Sequence, residues 1–204
     1  MSRRDMWNER YAGKELVWSA GPNQLFATEI ADLTPGKALD VACGEGRNAI
    51  WLAEQGWSVS AIDFSDAGIS KARQIATRRG AQVRWIVDDV STTSFPPGRY
   101  DLVTVLYLHT DLETRARWLP NIIEAVADSG TFICIGHDPR NITHGTGGPQ
   151  NPELLPEISE LKDALKGFRI EKAEIVERPV ASDPGHGAAE GIALDSLVRA
   201  VRQS

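Results

Sequence analysis

The chain has 204 residues, of which 42% are hydrophobic and 25% charged, and its formal net charge is −6. That length and balance predict one ordinary globular domain. Tight nucleic-acid binding relies on Lys and Arg neutralising phosphates, so an acidic chain without a basic block argues against a nucleic-acid partner.

No apolar run approaches the roughly eighteen residues of a membrane span, and the N-terminal residues lack the apolar stretch of a secretory signal. We therefore expect a cytoplasmic protein with no membrane partner, either a monomer or a homodimer. Cys43 and Cys134 lie in apolar runs without metal-site spacing. We expect two buried free thiols in neighbouring elements, and no metal.

From Lys37 onward, short apolar runs alternate with longer helical patterns. This alternation predicts an α/β domain with a doubly wound, Rossmann-like, mostly parallel sheet of seven strands and helices on both faces. The last strand-like run fits a strand or a helix, and we favour an edge strand. The predicted strands are 38–42, 57–62, 83–87, 100–106, 131–136, 168–176 and 192–202. The predicted helices are 47–55, 65–79, 112–127 and 157–166.

The strongest signal follows the first predicted strand, where an acidic residue leads into a glycine-containing loop and then a helix. Small residues let a backbone approach a ligand closely, and a helix start offers unpaired N–H groups. Asp63 ends the next strand, where doubly wound folds place a carboxylate that binds ribose hydroxyls; its alternative role is a helix cap. A nicotinamide-binding loop requires a third glycine where this chain has Arg47, so that ligand fits poorly.

The loop pattern matches the acidic-x-Gly-x-Gly-x-Gly loop of the class I S-adenosylmethionine-dependent methyltransferases, which the sequence resembles over residues 37–138. Its four positions are Asp40, Ala42, Gly44 and Gly46. Alanine at the second position is tolerable if φ there is not positive. Asp89-Val90 resembles the pair of residues that contacts the adenine in this family. Asp88 is the alternative candidate for the carboxylate of that pair.

The resemblance implies S-adenosylmethionine as cofactor. It also implies that the domain comprises residues 1–36 as a segment covering the cofactor, 37–138 as the binding core and 139–204 as a lid loop and sheet edge. The flanks around Trp7 and Gly148 resemble the small tellurite-resistance and thiopurine methyltransferase-like proteins. The cofactor-binding residues implied in this way are Trp7, Tyr11, Trp18, Asp40, Ala42, Gly44, Gly46, Arg47, Asn48, Asp63, Phe64, Ser65, Asp89, Val90 and Leu106.

Methyl transfer is an in-line displacement in which the enzyme chiefly holds nucleophile, methyl and sulfur in line. A base is needed only for an acceptor that arrives protonated with a high pKa. His109 follows the fourth strand and is the candidate base, its alternative being a structural hydrogen-bonding role. Tyr107, His137 and Asp138 are candidate contacts to a small-molecule acceptor, which is a thiol, heterocycle, phenol or chalcogen oxyanion.

The loop at about 139–150 is rich in glycine, and we expect it and Trp18 to form a lid that orders when the cofactor binds. His144 and His186 are expected at the surface. Two other functions stay open: a nicotinamide-dependent oxidoreductase and a non-catalytic protein that only binds S-adenosylmethionine. A nucleic-acid methyltransferase is disfavoured by charge.

Overall fold

The computed structural model describes residues 2–13, 15–17, 19–180 and 191–203, and all of the observations below concern that part of the chain. Its strands are β1 Lys37–Val41, β2 Ser58–Asp63, β3 Val83–Val87, β4 Tyr100–Leu106, β5 Val126–His137, β6 Phe168–Pro179 and β7 Ile192–Arg202. Its helices are α1 Arg3–Tyr11, α2 Gln24–Glu29, α3 Arg47–Glu54, α4 Asp66–Arg79, α5 Leu112–Glu124, α6 Asn141–His144 and α7 Ile158–Ala164.

The seven strands form one sheet in the order β3-β2-β1-β4-β5-β7-β6. The first five strands pair in parallel, and β7 runs antiparallel to both β5 and β6. Helices cover both faces, so the predicted doubly wound, mostly parallel, seven-stranded architecture is confirmed. After β3 the chain returns to the other side of β1, which makes the β1–β4 junction the switch point of the sheet.

The position predicted for the last strand was wrong, because β7 lies inside the sheet and β6 forms the edge. The polar residues of β7 suggested an exposed strand, yet Asp195 and Ser196 are buried. The Ser196 hydroxyl and one carboxylate oxygen of Asp195 form hydrogen bonds inside the protein, described below. The polar residues of β7 therefore indicate hydrogen bonds inside the protein and not exposure to solvent.

Two apolar cores hold the helices against the sheet, one on each face. Trp118 and Ile122 of α5 and Leu161 of α7 are buried in the first. Phe26 of α2 and Ile69 of α4 are buried in the second. These helices begin near the carboxyl ends of the strands, and the loops between them form the edge where the site lies.

Most helix boundaries follow their caps. Ser65 caps α4 by accepting the backbone N–H of Gly68, and Gly80 ends that helix in the left-handed region, as its sequence predicts. The helix predicted to reach residue 127 stops at Glu124 instead. Val126 already pairs with Tyr100 in the sheet, and an irregularity follows before Thr131 resumes the ladder, so tertiary pairing overrides the local helix pattern.

Cys43 and Cys134 are buried free thiols, as expected. They are not in neighbouring elements, because β4 separates β1 from β5. Within the described ranges, no helix is long and apolar enough to cross a membrane.

Candidate active site

The candidate site lies at the carboxyl edge of the sheet, around the switch point between β1 and β4. The loop after β1 has a left-handed backbone at three alternating positions: φ is 56° at Ala42, 54° at Gly44 and 76° at Gly46. Glycine adopts this region without steric cost, whereas alanine is strained there. The assumption that Ala42 avoids positive φ was therefore wrong, and the loop carries that strain at its first turn.

Gly46 is required by packing as well as by its backbone angle. A Cβ atom at this position would lie 2.5 Å from the Trp85 ring and 3.0 Å from the Ala72 methyl group. The close approach is thus to side chains of β3 and α4 rather than to a ligand. Gly46 is the N-cap residue of α3, so its packing fixes the position of the N-terminus of that helix.

Asp63 joins the end of β2 to the glycine loop. One carboxylate oxygen accepts the N–H of Gly44 at 2.8 Å, and the other accepts the N–H of Ser65 at 2.8 Å. Burial raises the pKa of Asp63, while these two hydrogen bonds act in the opposite direction. Each oxygen has a further lone pair, so both remain able to accept a ligand hydroxyl.

Asp40 is a buried carboxylate beneath the loop, only 1% exposed. Its Oδ2 atom has no hydrogen-bond partner among the described residues. Burial raises its pKa to about 7, and the nearby charge of Asp63 adds to that effect against a hydrogen bond from the Ala49 backbone. A buried oxygen without a partner is costly, and a cationic ligand group would relieve that cost.

A cavity of about 480 Å³ opens beside this loop. Five residues that were predicted to bind the cofactor line this cavity: Ala42, Asp63, Phe64, Asp89 and Val90. Asp88 lines it as well. Asp89 accepts the backbone and hydroxyl groups of Ser91 at 2.9 and 2.7 Å, which orients its carboxylate.

Sequence reasoning missed much of the opposite wall, which comes from α1 and from the start of α5. The start of α5 was predictable, because helices that follow strands in this architecture begin at the carboxyl edge. The contribution of α1 depends on long-range docking. The lining residues missed, on this wall and elsewhere in the cavity, are Ser2, Arg3, Arg4, Ile62, Ser91, Leu108, Thr110, Thr114, Arg117 and Trp118.

The N-terminal segment covers the glycine loop. A capping box between Ser2 and Asp5 starts α1. The Asn8 side chain accepts the Ser65 hydroxyl at 2.6 Å, which docks α1 on the start of α4. Tyr11 is buried against Gly68, and Trp7 stacks on Tyr11 with ring centroids 5.4 Å apart.

A second contact pins the chain after α1 to the loop itself. Glu45 accepts the backbone N–H of Val17 at 3.0 Å and pairs with Lys71 at 2.8 Å. Trp18, expected among the covering residues, lies outside the described residues.

Four of the residues predicted to bind the cofactor have side chains that form hydrogen bonds or pack within the protein. Arg47 donates to the Ser19 hydroxyl at 2.8 Å, and Asn48 accepts the backbone N–H of Asn23 at 2.9 Å. Ser65 is fully buried as a helix cap, and Leu106 is buried in the core at the end of β4. None of these four side chains lines the 480 Å³ cavity.

On the other side of the switch point, a buried polar network joins the ends of four strands. Asp195 of β7 accepts the Tyr107 hydroxyl at 2.6 Å and the Arg178 Nε–H at 2.6 Å. Its second oxygen lies 3.1 Å from His137 Nδ1. Sequence reasoning missed Asp195, Arg178 and Asn23, whose amide lies 3.5 Å from the Tyr107 hydroxyl. No local pattern marks them, since strand order alone brings them together.

His109 stacks on His137 with ring centroids 5.4 Å apart. Its buried Nε2 atom has no hydrogen-bond partner in the described part of the chain. Burial, reinforced by the neighbouring His137, lowers the pKa of His109 to about 3. The imidazole is therefore neutral at physiological pH and is a weak base.

Asp138 anchors the following loop. Its carboxylate accepts the Arg140 backbone N–H at 3.0 Å and the Ser196 hydroxyl at 2.8 Å. Asn141 extends the anchor by accepting the Leu194 N–H and donating to the Gly147 carbonyl, each at 2.8 Å. The first half of the predicted lid is thus tied to β7, and α6 lies within it. A lid movement there has to break these bonds.

These observations fit the cofactor that the resemblance implied. S-adenosylmethionine combines an adenosine with a cationic sulfonium and an ammonium group. The site offers a cavity of about 480 Å³ lined by Asp63. It also offers the unpartnered Asp40 oxygen at the end of β1, although Asp40 does not line that cavity. Two carboxylates, Asp40 and Asp63, surround the loop, and the ligand has no pyrophosphate that they would repel. The donor set therefore suits a cationic nucleoside better than a dinucleotide.

Residues 38–130 match the family described as a methyltransferase domain. The chain is 27% identical over 170 residues to the 2-heptyl-1-hydroxyquinolin-4(1H)-one methyltransferase of Mycobacteroides abscessus, covering 78% of this chain and 74% of that protein. Its fold superimposes on TehB from Haemophilus influenzae with a TM-score of 0.72 at 14% identity, over 98% of this chain and 67% of that one.

A third likeness is to a structure solved for the conversion of a disulfide bond into a thioacetal group during echinomycin biosynthesis. The TM-score is 0.78 at 21% identity, over 99% of this chain and 92% of the other. Both structural likenesses concern the fold. The match to a methyltransferase domain and the curated methyltransferase relatives support an S-adenosylmethionine-dependent methyltransferase.

Proposed function

We propose that the enzyme methylates a small molecule whose nucleophilic atom is already ionised or carries a free lone pair at neutral pH. Thiolates, acidic N-hydroxy or phenolic heterocycles and chalcogen oxyanions belong to this class. The observation that carries the proposal is the His109 ring after β4, which stacks on His137 and has a buried Nε2 atom without a partner among the described residues; this burial lowers its pKa. A base of that strength removes a proton from an ordinary hydroxyl poorly, so the acceptor must bring its own nucleophile.

The cofactor's adenosine is assigned to the 480 Å³ cavity. There Asp63 accepts the ribose hydroxyls, and Asp89 with Val90 contacts the adenine. The cationic tail lies over the glycine loop, where Asp40 offers its unpartnered oxygen. The described residues of 1–36 cover this half with Trp7 and Tyr11, residues 37–138 form its core, and the described residues of 139–204 complete the acceptor half.

When bound, S-adenosylmethionine supplies an electrophilic methyl group on a sulfonium. The acceptor's lone pair forms the new bond to carbon, while the C–S bonding pair stays on sulfur and gives S-adenosylhomocysteine. Any acceptor proton is lost beforehand to water. Tyr107 and His137 line the approach to the methyl group, and His109 provides an uncharged wall there. Orientation in this enclosed edge supplies much of the rate enhancement.

The relatives agree with this class without fixing its member. One acts on a 1-hydroxyquinolinone, whose N-hydroxyl group is acidic, and TehB shares the fold. The tellurite-resistance and thiopurine methyltransferase-like subgroup therefore remains part of the proposal. The net charge of −6 disfavours nucleic acid as the acceptor.

The test is a screen for S-adenosylhomocysteine formation with 4-nitrothiophenol, 2-heptyl-1-hydroxyquinolin-4(1H)-one, sodium selenite and, as the matched unactivated hydroxyl, benzyl alcohol. We expect turnover with at least one of the first three and none with benzyl alcohol. Preferred turnover of benzyl alcohol would contradict the proposal, because it requires a strong base. Tight S-adenosylhomocysteine binding without any product would instead favour a non-catalytic binding protein, and calorimetry with NAD⁺ tests the nicotinamide alternative.

A further inference from the structure

We propose that Asp195 is a positioning residue for methyl transfer, which holds Tyr107 and His137 in place on the acceptor side of the site. The inference rests on the proposed function, since it concerns how the same site is kept in a reactive geometry. Asp195 is far from the glycine loop in sequence and belongs to β7. Its register places it opposite His137 of β5.

Asp195 is fully buried, with 0% exposure. A buried carboxylate is destabilising unless charged and hydrogen-bonding partners surround it. Here three partners meet it: the Tyr107 hydroxyl and Arg178 Nε at 2.6 Å each, and His137 Nδ1 at 3.1 Å. They come from the ends of β4, β6 and β5 in turn, so one carboxylate ties three strand ends together.

The cluster formed by Asp195 and its three partners differs in position from an ordinary stabilising ion pair. Arg199, on the same strand, pairs with Asp32 at 2.8 Å, and the Asp32 side chain is 67% exposed. Asp195, in contrast, lies at the carboxyl edge and holds a residue with a strained backbone. Tyr107 has φ 56°, and non-glycine residues keep such an angle only where their surroundings enforce it.

Tyr107 is held at both of its ends. Its backbone N–H donates to the Ile135 carbonyl at 2.7 Å, and its hydroxyl donates to Asp195. Burial raises the pKa of Tyr107, and the charge of Asp195 raises it further, so the phenol stays protonated. Burial also acts to raise the pKa of Asp195, but the hydrogen bonds from His137 and Arg178 hold it below its usual value. The pair is thus a neutral donor and a charged acceptor in one fixed orientation.

The same tyrosine connects the acceptor side to the cofactor side. The Asn23 amide lies 3.5 Å from the Tyr107 hydroxyl, and the Asn23 backbone N–H donates to Asn48 at the start of α3. His137 lies between Asp195 and the stacked ring of His109. Loss of Asp195 therefore releases the Tyr107 and His137 rings while the glycine loop keeps its own bonds to Asp63.

The experiment compares Asp195→Asn with Asp32→Asn, which removes an exposed carboxylate from another ion pair of β7. We expect Asp195→Asn to lower kcat/KM for the best acceptor of the screen by about 100-fold, the size of effect that a small misplacement produces. The Kd of S-adenosylhomocysteine by calorimetry should change by less than about threefold. Asp32→Asn should alter neither quantity.

Hydrogen exchange gives a second readout that needs no acceptor. The Tyr107 amide, which donates to the Ile135 carbonyl, should exchange faster in Asp195→Asn than in the wild type, while the Gly44 amide, which donates to Asp63, should not. An equal loss of cofactor affinity and acceptor kcat/KM, a loss no larger than in Asp32→Asn, or an unchanged exchange rate at the Tyr107 amide would each overturn the proposal.

If Asp195→Asn does not fold, Tyr107→Phe takes its place, because it leaves the Asp195–Arg178 pair intact. It should lower acceptor kcat/KM by about tenfold with unchanged S-adenosylhomocysteine affinity; unchanged kinetics would overturn the role of the tyrosine and of Asp195 with it. If the wild type methylates nothing in the screen, the acceptor class is what fails. Hydrogen exchange at the Tyr107 amide still decides whether Asp195 positions Tyr107.

Discussion

At the cofactor half of the carboxyl edge, Gly44 and Asp63 are 19 residues apart in the chain and meet through a backbone N–H. At the acceptor half, Tyr107 and Asp195 are 88 residues apart and meet through side chains. The first half depends on backbone angles that few residues adopt, whereas the second depends on which side chains the strands happen to carry. Acceptor preference can therefore change by substitution without disturbing the cofactor half.

The largest expected effect comes from a substitution that strains the backbone of the glycine loop in the cofactor half. Gly46→Ala combines a left-handed φ of 76° with a methyl group 2.5 Å from the Trp85 ring. We expect a loss of about 2–5 kcal/mol in the free energy of unfolding, measured by urea denaturation.

The control for this change is Gly80→Ala. Gly80 has φ 68°, and its added Cβ would meet open space. It should cost only the backbone strain, about 1–2 kcal/mol. Equal losses in the two variants would show that the Trp85 contact does not govern the loop.

The next effect concerns the carboxylate that joins loop and ligand. Asp63→Ala removes the acceptor of two backbone N–H groups and the proposed partner of the ribose hydroxyls. S-adenosylhomocysteine should bind about 1–3 kcal/mol more weakly by calorimetry. Asp66→Ala, on the exposed first turn of α4, is the control and should bind normally. Unchanged affinity in Asp63→Ala would remove the ribose assignment.

A pH effect of intermediate size tests Asp40. Burial raises its pKa to about 7, so the carboxyl is protonated below that value and charged above it. If its charged form holds the ammonium group of the tail, S-adenosylhomocysteine should bind about tenfold more weakly at pH 6 than at pH 8. Asp40→Asn should abolish that dependence, and a dependence that persists would contradict the assignment.

The Asp40 carboxyl affects the stability of the protein in the opposite direction: rising pH strengthens ligand binding but weakens the fold. Because its folded pKa lies above the ordinary value of 3.8, its contribution is present at low pH and is lost as pH rises through 7. Asp40→Asn should therefore melt at a higher temperature than the wild type at pH 8 but not at pH 4. Calorimetric melting at both pH values measures this difference.

The smallest effect sharpens the comparison on the acceptor half. Asn141→Ala removes the hydrogen bond that ties the loop at 138–148 to Leu194 of β7, and a second bond within the loop to the Gly147 carbonyl. We expect a local loss of about 1–2 kcal/mol, seen as faster hydrogen exchange at the Leu194 amide. Thr143→Ala, in the same helix but exposed, is the control. Cleavage by trypsin after Arg140 that slows when S-adenosylhomocysteine is added would support the lid expectation.

The same contrast explains what the sequence could predict. The loop from Asp40 to Gly46, the Asp63 position and the Ser65 cap are local patterns, and each was predictable from strand, turn and helix chemistry. The converging side chains of Asp195 and Arg178 were not, because their role depends on β7 pairing between β5 and β6. Ala42 was misjudged for a related reason: its left-handed φ is imposed by the loop as a whole and leaves no mark in its own residue type.

The placement of β7 also bears on how the protein folds. β6 precedes β7 in the chain, yet it contacts the rest of the sheet only through β7. Strand β6 therefore depends on β7 for its place in the sheet. Because β5 and β7 are distant in the chain, we expect their pairing to be slow compared with formation of the local β1–α3–β2 unit.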